Sequence, residues 1–105
     1  MITALKKLLG IGPSVDLAEI MRSGATLIDV RSTEEFKAGH IPGSVNIPLP
    51  LLESRLSSIP QKKPVITCCA SGMRSGSAKS MLKAKGYEVY NGGGWSGLGR
   101  KLGKF

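Results

Sequence analysis

The stretch "VITCCASGMRSGSA", residues 65–78, sets an apolar run against a turn of small residues and then a helix-forming stretch. "VITC" follows Pro64 and is short, apolar and partly β-branched, which predicts a buried strand. "RSGSAKSMLKAKG" carries Ala78, Met81 and Leu82 on one helical face, lysines on the other, and Gly86 as its stop. Between strand and helix lie Cys69, Ala70, Ser71, Gly72, Met73 and Arg74. In a parallel sheet, a loop leading from a strand's carboxyl end into a helix is where ligands bind. Both cysteines of the chain fall at such an end.

The alternation continues on either side. "DLAEIMRSG" opens on Asp16 with Glu19 three residues on, a capping pattern, and stops at Gly24. "TLIDV" (26–30) predicts a buried strand, and "STEEF" repeats the cap with Ser32 and Glu35 before Gly39. Two prolines bracket "SVNI", a short strand held between turns. "PLLESRLSSI" predicts a helix with Leu51, Leu52, Leu56 and Ile59 on its apolar face, and "YEVYN" is the last strand, with a tight turn expected in the glycines after it. Short strands alternating with helices indicate an α/β fold with a mainly parallel sheet covered on both faces. Residues 1–13 read as a tail or short amphipathic helix with Ile2, Leu5 and Leu9 on one face. The domain proper is placed at 14–100 and a basic tail at 101–105.

One domain is what 105 residues allow. The net charge of +8, from fifteen Lys and Arg against seven Asp and Glu, favours anionic partners, from small oxyanions to an acidic protein. Nucleic acid is disfavoured, since no basic helix interleaved with aromatics and no zinc or RNA-recognition signature occurs. Lys6 and Lys7 interrupt the apolar N-terminus, so no signal peptide is expected, and no run is long enough to span a bilayer. Adjacent cysteines do not form a disulfide framework, which points to a reducing, cytoplasmic setting and thiol chemistry. No metal-ligand cluster or dinucleotide fingerprint is present, so no cofactor is expected, and nothing argues for more than a monomer.

The loop itself suits an anion. Small residues let several backbone N–H groups turn inward, and the following helix contributes its positive end. A thiol at the base of such a cradle ionises more readily than a free one. The same donors would hold an oxyanion beside it. The competing reading is a plain turn with a cysteine filling a core position.

At these residues the chain resembles the rhodanese family of sulfurtransferases. "LIDVRSTEEFKAGHIPGSVNIPL" (27–49) is similar to the family's first signature, "CASGMRS" (69–75) to its C-x-x-G-x-R-S active-site loop, and "GYEVYNGGGWSGL" (86–98) to its closing segment. The resemblance spans about residues 14–98. It implies a rhodanese-like five-stranded sheet and a sulfane donor such as thiosulfate. It further implies a persulfide on the cysteine, whose sulfur passes to cyanide or a thiol, as in covalent catalysis by two displacements.

The loop admits two registers: Cys69 to Arg74 spaces as C-x4-R, that of sulfur-transferring relatives, and Cys68 to Arg74 as C-x5-R, that of phosphatases and arsenate reductases of the same fold. The family's strand delivers its nucleophile at the fifth residue from the position of Pro64, which is Cys69. No general acid for a phosphate leaving group stands out, and these points together favour Cys69 as nucleophile. Arg74 is expected to clamp the donor's anionic end. Ala70, Ser71, Gly72, Met73 and Ser75 line the cradle, Met73 as an apolar lip. Asp29, Arg31 and His40 are read as support for the loops, and Trp95 as packing the last helix on the sheet. The rival functions are the Cys68 register and a non-catalytic binding module built on the same loop.

Overall fold

The computed structural model describes residues 15–105; the short helix expected near the N-terminus lies outside them. The run after Pro64 forms β3, Val65–Cys69, with every residue buried. β1 (Thr26–Asp29) lies parallel to it on one side and β4 (Val89–Gly94) on the other, while β2 (Val45–Asn46) pairs with the outer edge of β1. The order β2-β1-β3-β4 is parallel throughout. These are the four runs that the residue pattern picks out. The count corrects the five strands implied by the family resemblance: a fifth is not among the described residues.

Side chains alternate across β1 and β3 and build one core on each face. On one face Ile28, Val30, Val65 and Cys69 pack with Ala78 and Leu82 of α3 (Met73–Ala84) and with Leu52 and Ile59. On the other, Leu27, Ile66 and Cys68 meet Leu17 of α1 (Leu17–Arg22) and Leu98 of α4 (Trp95–Lys101). Each fully buried aliphatic side chain contributes about 1.5–3 kcal/mol, so the two layers together hold the sheet that carries the site.

The caps fall where the residue types place them. The Asp16 carboxylate accepts the Glu19 N–H, and around α2 (Thr33–Ala38) Ser32 and Glu35 form a reciprocal capping box. Residues 49–58 differ from expectation. In place of an α-helix they form two 3₁₀ segments, Leu49–Leu51 and Glu53–Ser58. The hydroxyls of Ser54 and Ser58 donate to the carbonyls of Leu51 and Arg55, three residues back, and compete there with backbone bonds of the α type. Of the expected apolar face, Leu52 and Ile59 are buried and Leu51 is exposed.

β4 also departs from expectation. It begins at Val89 and runs on through the glycines rather than turning in them. Its pairing with β3 slips between Thr67, opposite Asn91, and Cys69, opposite Gly94. This bulge brings the backbone of β4 against the loop after Cys69. A Cβ on Gly94 would stand 2.9 Å from the Ala70 carbonyl oxygen, so only glycine permits the approach.

Candidate active site

β1 leads out to β2 on one side, and β3 then returns on the other. The strand order therefore reverses between β1 and β3, and in open α/β sheets ligands bind outside the carboxyl ends of the strands at such a point. Asp29 ends β1 opposite Cys68, and Cys69 ends β3.

Around the sulfur of Cys69 the loop does what its small residues suggest. Gly72 holds φ +106°, a conformation that other L-residues rarely adopt, and its N–H donates to Cys69 Sγ at 2.9 Å. The Ser75 hydroxyl lies 3.4 Å from the same sulfur. Burial raises the thiol pKa, but the Ser75 hydroxyl and the amides of Ser75, Gly72 and Ser71 outweigh it and bring Cys69 below the ordinary value. Met73 stands at the rim with 81% of its surface exposed. Ala70 and Ser71 are exposed beside it.

Cys68 points into the opposite core, and burial, with the Asp29 charge nearby, pushes its thiol up to about 12. The C-x5-R register therefore lacks a thiolate near neutral pH.

Arg74 and Glu35 meet across the rim. Arg74 Nη1 donates to Glu35 Oε1 at 2.7 Å and Nη2 to Oε2 at 3.0 Å. The pairing with Arg74 first, and the Ser32 amide second, lowers the Glu35 carboxyl from 4.5 to about 2. Glu35 drew attention only as a helix cap; that it also spans to a residue 39 positions away has no local signature.

Asp29 and Arg31 form a buried pair, with Nε 3.0 Å from Oδ1 and Nη2 2.8 Å from Oδ2. Arg31 also donates to the carbonyls of Glu35 (3.3 Å) and Gly39 (2.6 Å), and its guanidinium lies over the Trp95 ring at 4.6 Å. The pair thus ties α2, and Glu35 with it, to the end of β1. His40 donates Nδ1–H to the Phe36 carbonyl at 2.7 Å and stacks on the Phe36 ring. Both contacts turn its ring toward Phe36 of α2.

Asn91 on β4 was not singled out in the sequence. Its Oδ1 accepts the Ser75 hydroxyl at 2.6 Å and the Gly93 N–H at 2.9 Å, and its Nδ2 donates to the Gly72 carbonyl at 3.2 Å. Its position opposite Thr67, at the mouth of the bulge, places it over the loop, a placement that depends on strand register.

Among the described residues no three His, Cys, Asp or Glu side chains gather to hold a metal ion, and no helix is long and apolar enough to cross a membrane. The site can present a thiol that ionises more readily than an ordinary one, inward amides and a paired arginine to a small anionic molecule.

Comparison with known proteins agrees with this geometry. A family model described as "Rhodanese-like domain" matches residues 14–101. The chain is 45% identical over 80 residues to the uncharacterized protein YqhL of Bacillus subtilis, covering 74% of this chain and 64% of that protein. It is 39% identical over 70 residues to the thiosulfate sulfurtransferase PspE of Escherichia coli, covering 64% of this chain and 67% of that one. Among solved structures, reduced CoADR-RHD of Bacillus anthracis superposes with a TM-score of 0.71 at 41% identity, over 83% of this chain and 16% of that chain. The chain thus spans less than two thirds of YqhL and a small part of the Bacillus anthracis protein.

Proposed function

Since the chain belongs to the rhodanese-like domain family, we propose that it is a sulfurtransferase that moves sulfane sulfur from thiosulfate or a persulfide donor to a thiophilic acceptor through Cys69. The observation that carries this reading is the Cys69 sulfur at the end of β3, held by the Gly72 N–H at 2.9 Å while the neighbouring thiol is locked in the core.

The Cys69 thiolate attacks the outer sulfur of the donor, forming a new S–S bond. The donor's own S–S bond breaks, and its electron pair leaves on sulfite, or on a thiolate when the donor is a persulfide. The Cys69 persulfide then rests among the amides of Ser71, Gly72 and Ser75. An acceptor, cyanide or a thiolate, attacks the terminal sulfur, and the Cys69 thiolate leaves. No net oxidation and no cofactor enter, and ping-pong kinetics follow. Arg74 commits two of its five N–H donors to Glu35 and keeps the rest for the donor's anionic end. Met73 gives the entrance an apolar lip. Free thiols of this kind suit a reducing compartment such as the cytoplasm, and the positive charge suits an acidic acceptor protein.

Treatment with thiosulfate and, separately, with a low-molecular-weight persulfide, followed by mass spectrometry, tests the reading. The expected result is a gain of one sulfur on Cys69 that dithiothreitol removes. Cys69→Ser should lower sulfur transfer by at least about a thousandfold, as loss of a covalent nucleophile does. Cys68→Ser should retain most of it. Transfer that survives the first change and disappears with the second, or a wild-type chain that takes up no sulfur from either donor, would sink the reading.

A further inference from the structure

Ser75 is completely buried, so its hydroxyl has no water to bond and a single proton to give. Two acceptors compete for it: Asn91 Oδ1 at 2.6 Å and Cys69 Sγ at 3.4 Å. The orientation of the Asn91 amide is fixed by its other partners. The Gly93 N–H can only donate, so it marks Oδ1, and the Gly72 carbonyl can only accept, so it marks Nδ2. Ser75 must therefore donate to Asn91, and its oxygen is left to accept the S–H of Cys69. This chain of bonds, from S–H to Ser75 to Asn91, suits the protonated thiol.

A thiolate cannot donate. To hold it, the Ser75 hydroxyl must turn from Asn91 to the sulfur, while Asn91 Oδ1 retains the Gly93 N–H. From this competition we infer that Asn91 is a positioning residue that governs how readily Cys69 ionises, by contending with the sulfur for the one proton of Ser75. The inference rests on Cys69 being the reacting thiol. It acts through Ser75: Asn91 bonds the Ser75 hydroxyl, and the sulfur's own hydrogen-bond partners are Ser75 and Gly72.

The charged group that acts on Cys69 is Arg74 at the start of α3, paired with Glu35 of α2, and it stays the same whichever way the proton points. The Asp29–Arg31 pair at the end of β1 lies beside Cys68, whose thiol points to the opposite face of the sheet. From β4 the neighbour is the uncharged Asn91.

The test is the pH dependence of Cys69 alkylation by iodoacetamide, read by mass spectrometry. Asn91→Ala frees the Ser75 proton for the thiolate, so the midpoint of the profile should fall by about half a unit to one unit. Asn91→Leu, which keeps the side-chain volume without the acceptor, should do the same. Asn91 is exposed, and both variants should fold, as circular dichroism would verify. Ser75→Ala should raise the midpoint, and adding Asn91→Ala to it should produce no further shift. A residue that merely braces the Gly72 turn would instead raise the midpoint when removed, and its effect would add to that of Ser75→Ala. A midpoint that is unchanged or raised in both Asn91 variants, or a shift that persists in the Ser75→Ala background, overturns the inference. Sulfur uptake from thiosulfate or a persulfide, measured on the wild type, reports separately on the proposed reaction.

Discussion

A β-strand turns successive side chains to opposite faces, and at Cys68 and Cys69 that alternation gives two thiols opposite chemistry. Cys69 reaches the loop amides; Cys68 enters the core beside Leu27 and Ile66. The consequence for Cys68 can be measured. Its folded-state pKa, raised to about 12, lies above that of an unfolded thiol, so the folded chain holds this proton more tightly. The resulting stability is fully present below the ordinary thiol pKa and is lost as pH climbs toward 12. Cys68→Ala should cost about 1–2 kcal/mol at neutral pH through lost packing. The gap between variant and wild type in urea midpoint should then narrow steadily from about pH 9 upward. A constant gap to pH 11 would mean that Cys68 does not titrate in the unfolding equilibrium.

At the scale of elements, α2 and α3 are joined by Glu35, whose Oε1 accepts both the Ser32 N–H of the cap and Arg74 Nη1 while Oε2 takes the second branch of the Arg74 fork. Because the folded Glu35 carboxyl is lowered to about 2, its stabilising effect is present above the ordinary carboxyl range and disappears as pH falls from 4.5 toward 2. Glu35→Gln should lower the thermal midpoint above pH 5 and reduce its slope with pH between 4.5 and 2; equal slopes would show the ion pair to be idle. Half of Glu35's role was legible in the sequence and half was not. The cap is a local pattern, Ser32 with Glu35, and the structure reproduces it. The reach to Arg74 depends on where α2 comes to rest, which the buried Asp29–Arg31 pair decides. The same division runs through the fold. The apolar runs of β1 and β3 and the glycine turn at Gly72 carry their own signals. The 3₁₀ segments at 49–58 do not, because leucine spacing alone cannot register serine hydroxyls binding carbonyls three residues back. Asn91 escaped notice for a third reason: its partners are set by a one-residue bulge in the pairing of β3 with β4.

At the scale of the whole molecule, the basic residues at the helix ends and the sulfur of Cys69 sit apart among the described residues. Helices in a parallel α/β layer run back from the carboxyl ends of the strands, so their last turns gather at the opposite edge. Arg22 closes α1, Lys83 and Lys85 lie at the end of α3, Arg100 and Lys101 close α4, and Lys62 and Lys63 precede β3. The charges at the carboxyl ends of β1 and β3 are instead paired, Asp29 with Arg31 and Arg74 with Glu35. The six residue steps of extended chain from Lys63 to Cys69 span about 20 Å, more than two screening lengths of ~8 Å at physiological salt. The basic edge should therefore attract large anionic surfaces without imposing a field on the sulfur. Raising ionic strength from about 0.05 to 0.3 M should release the protein from a heparin matrix, yet change the rate of Cys69 sulfuration by thiosulfate less than about twofold. A tenfold fall in that rate over the same range would mean that the distant lysines steer the donor to the sulfur after all. The loop amides would then be only part of what draws the anion in.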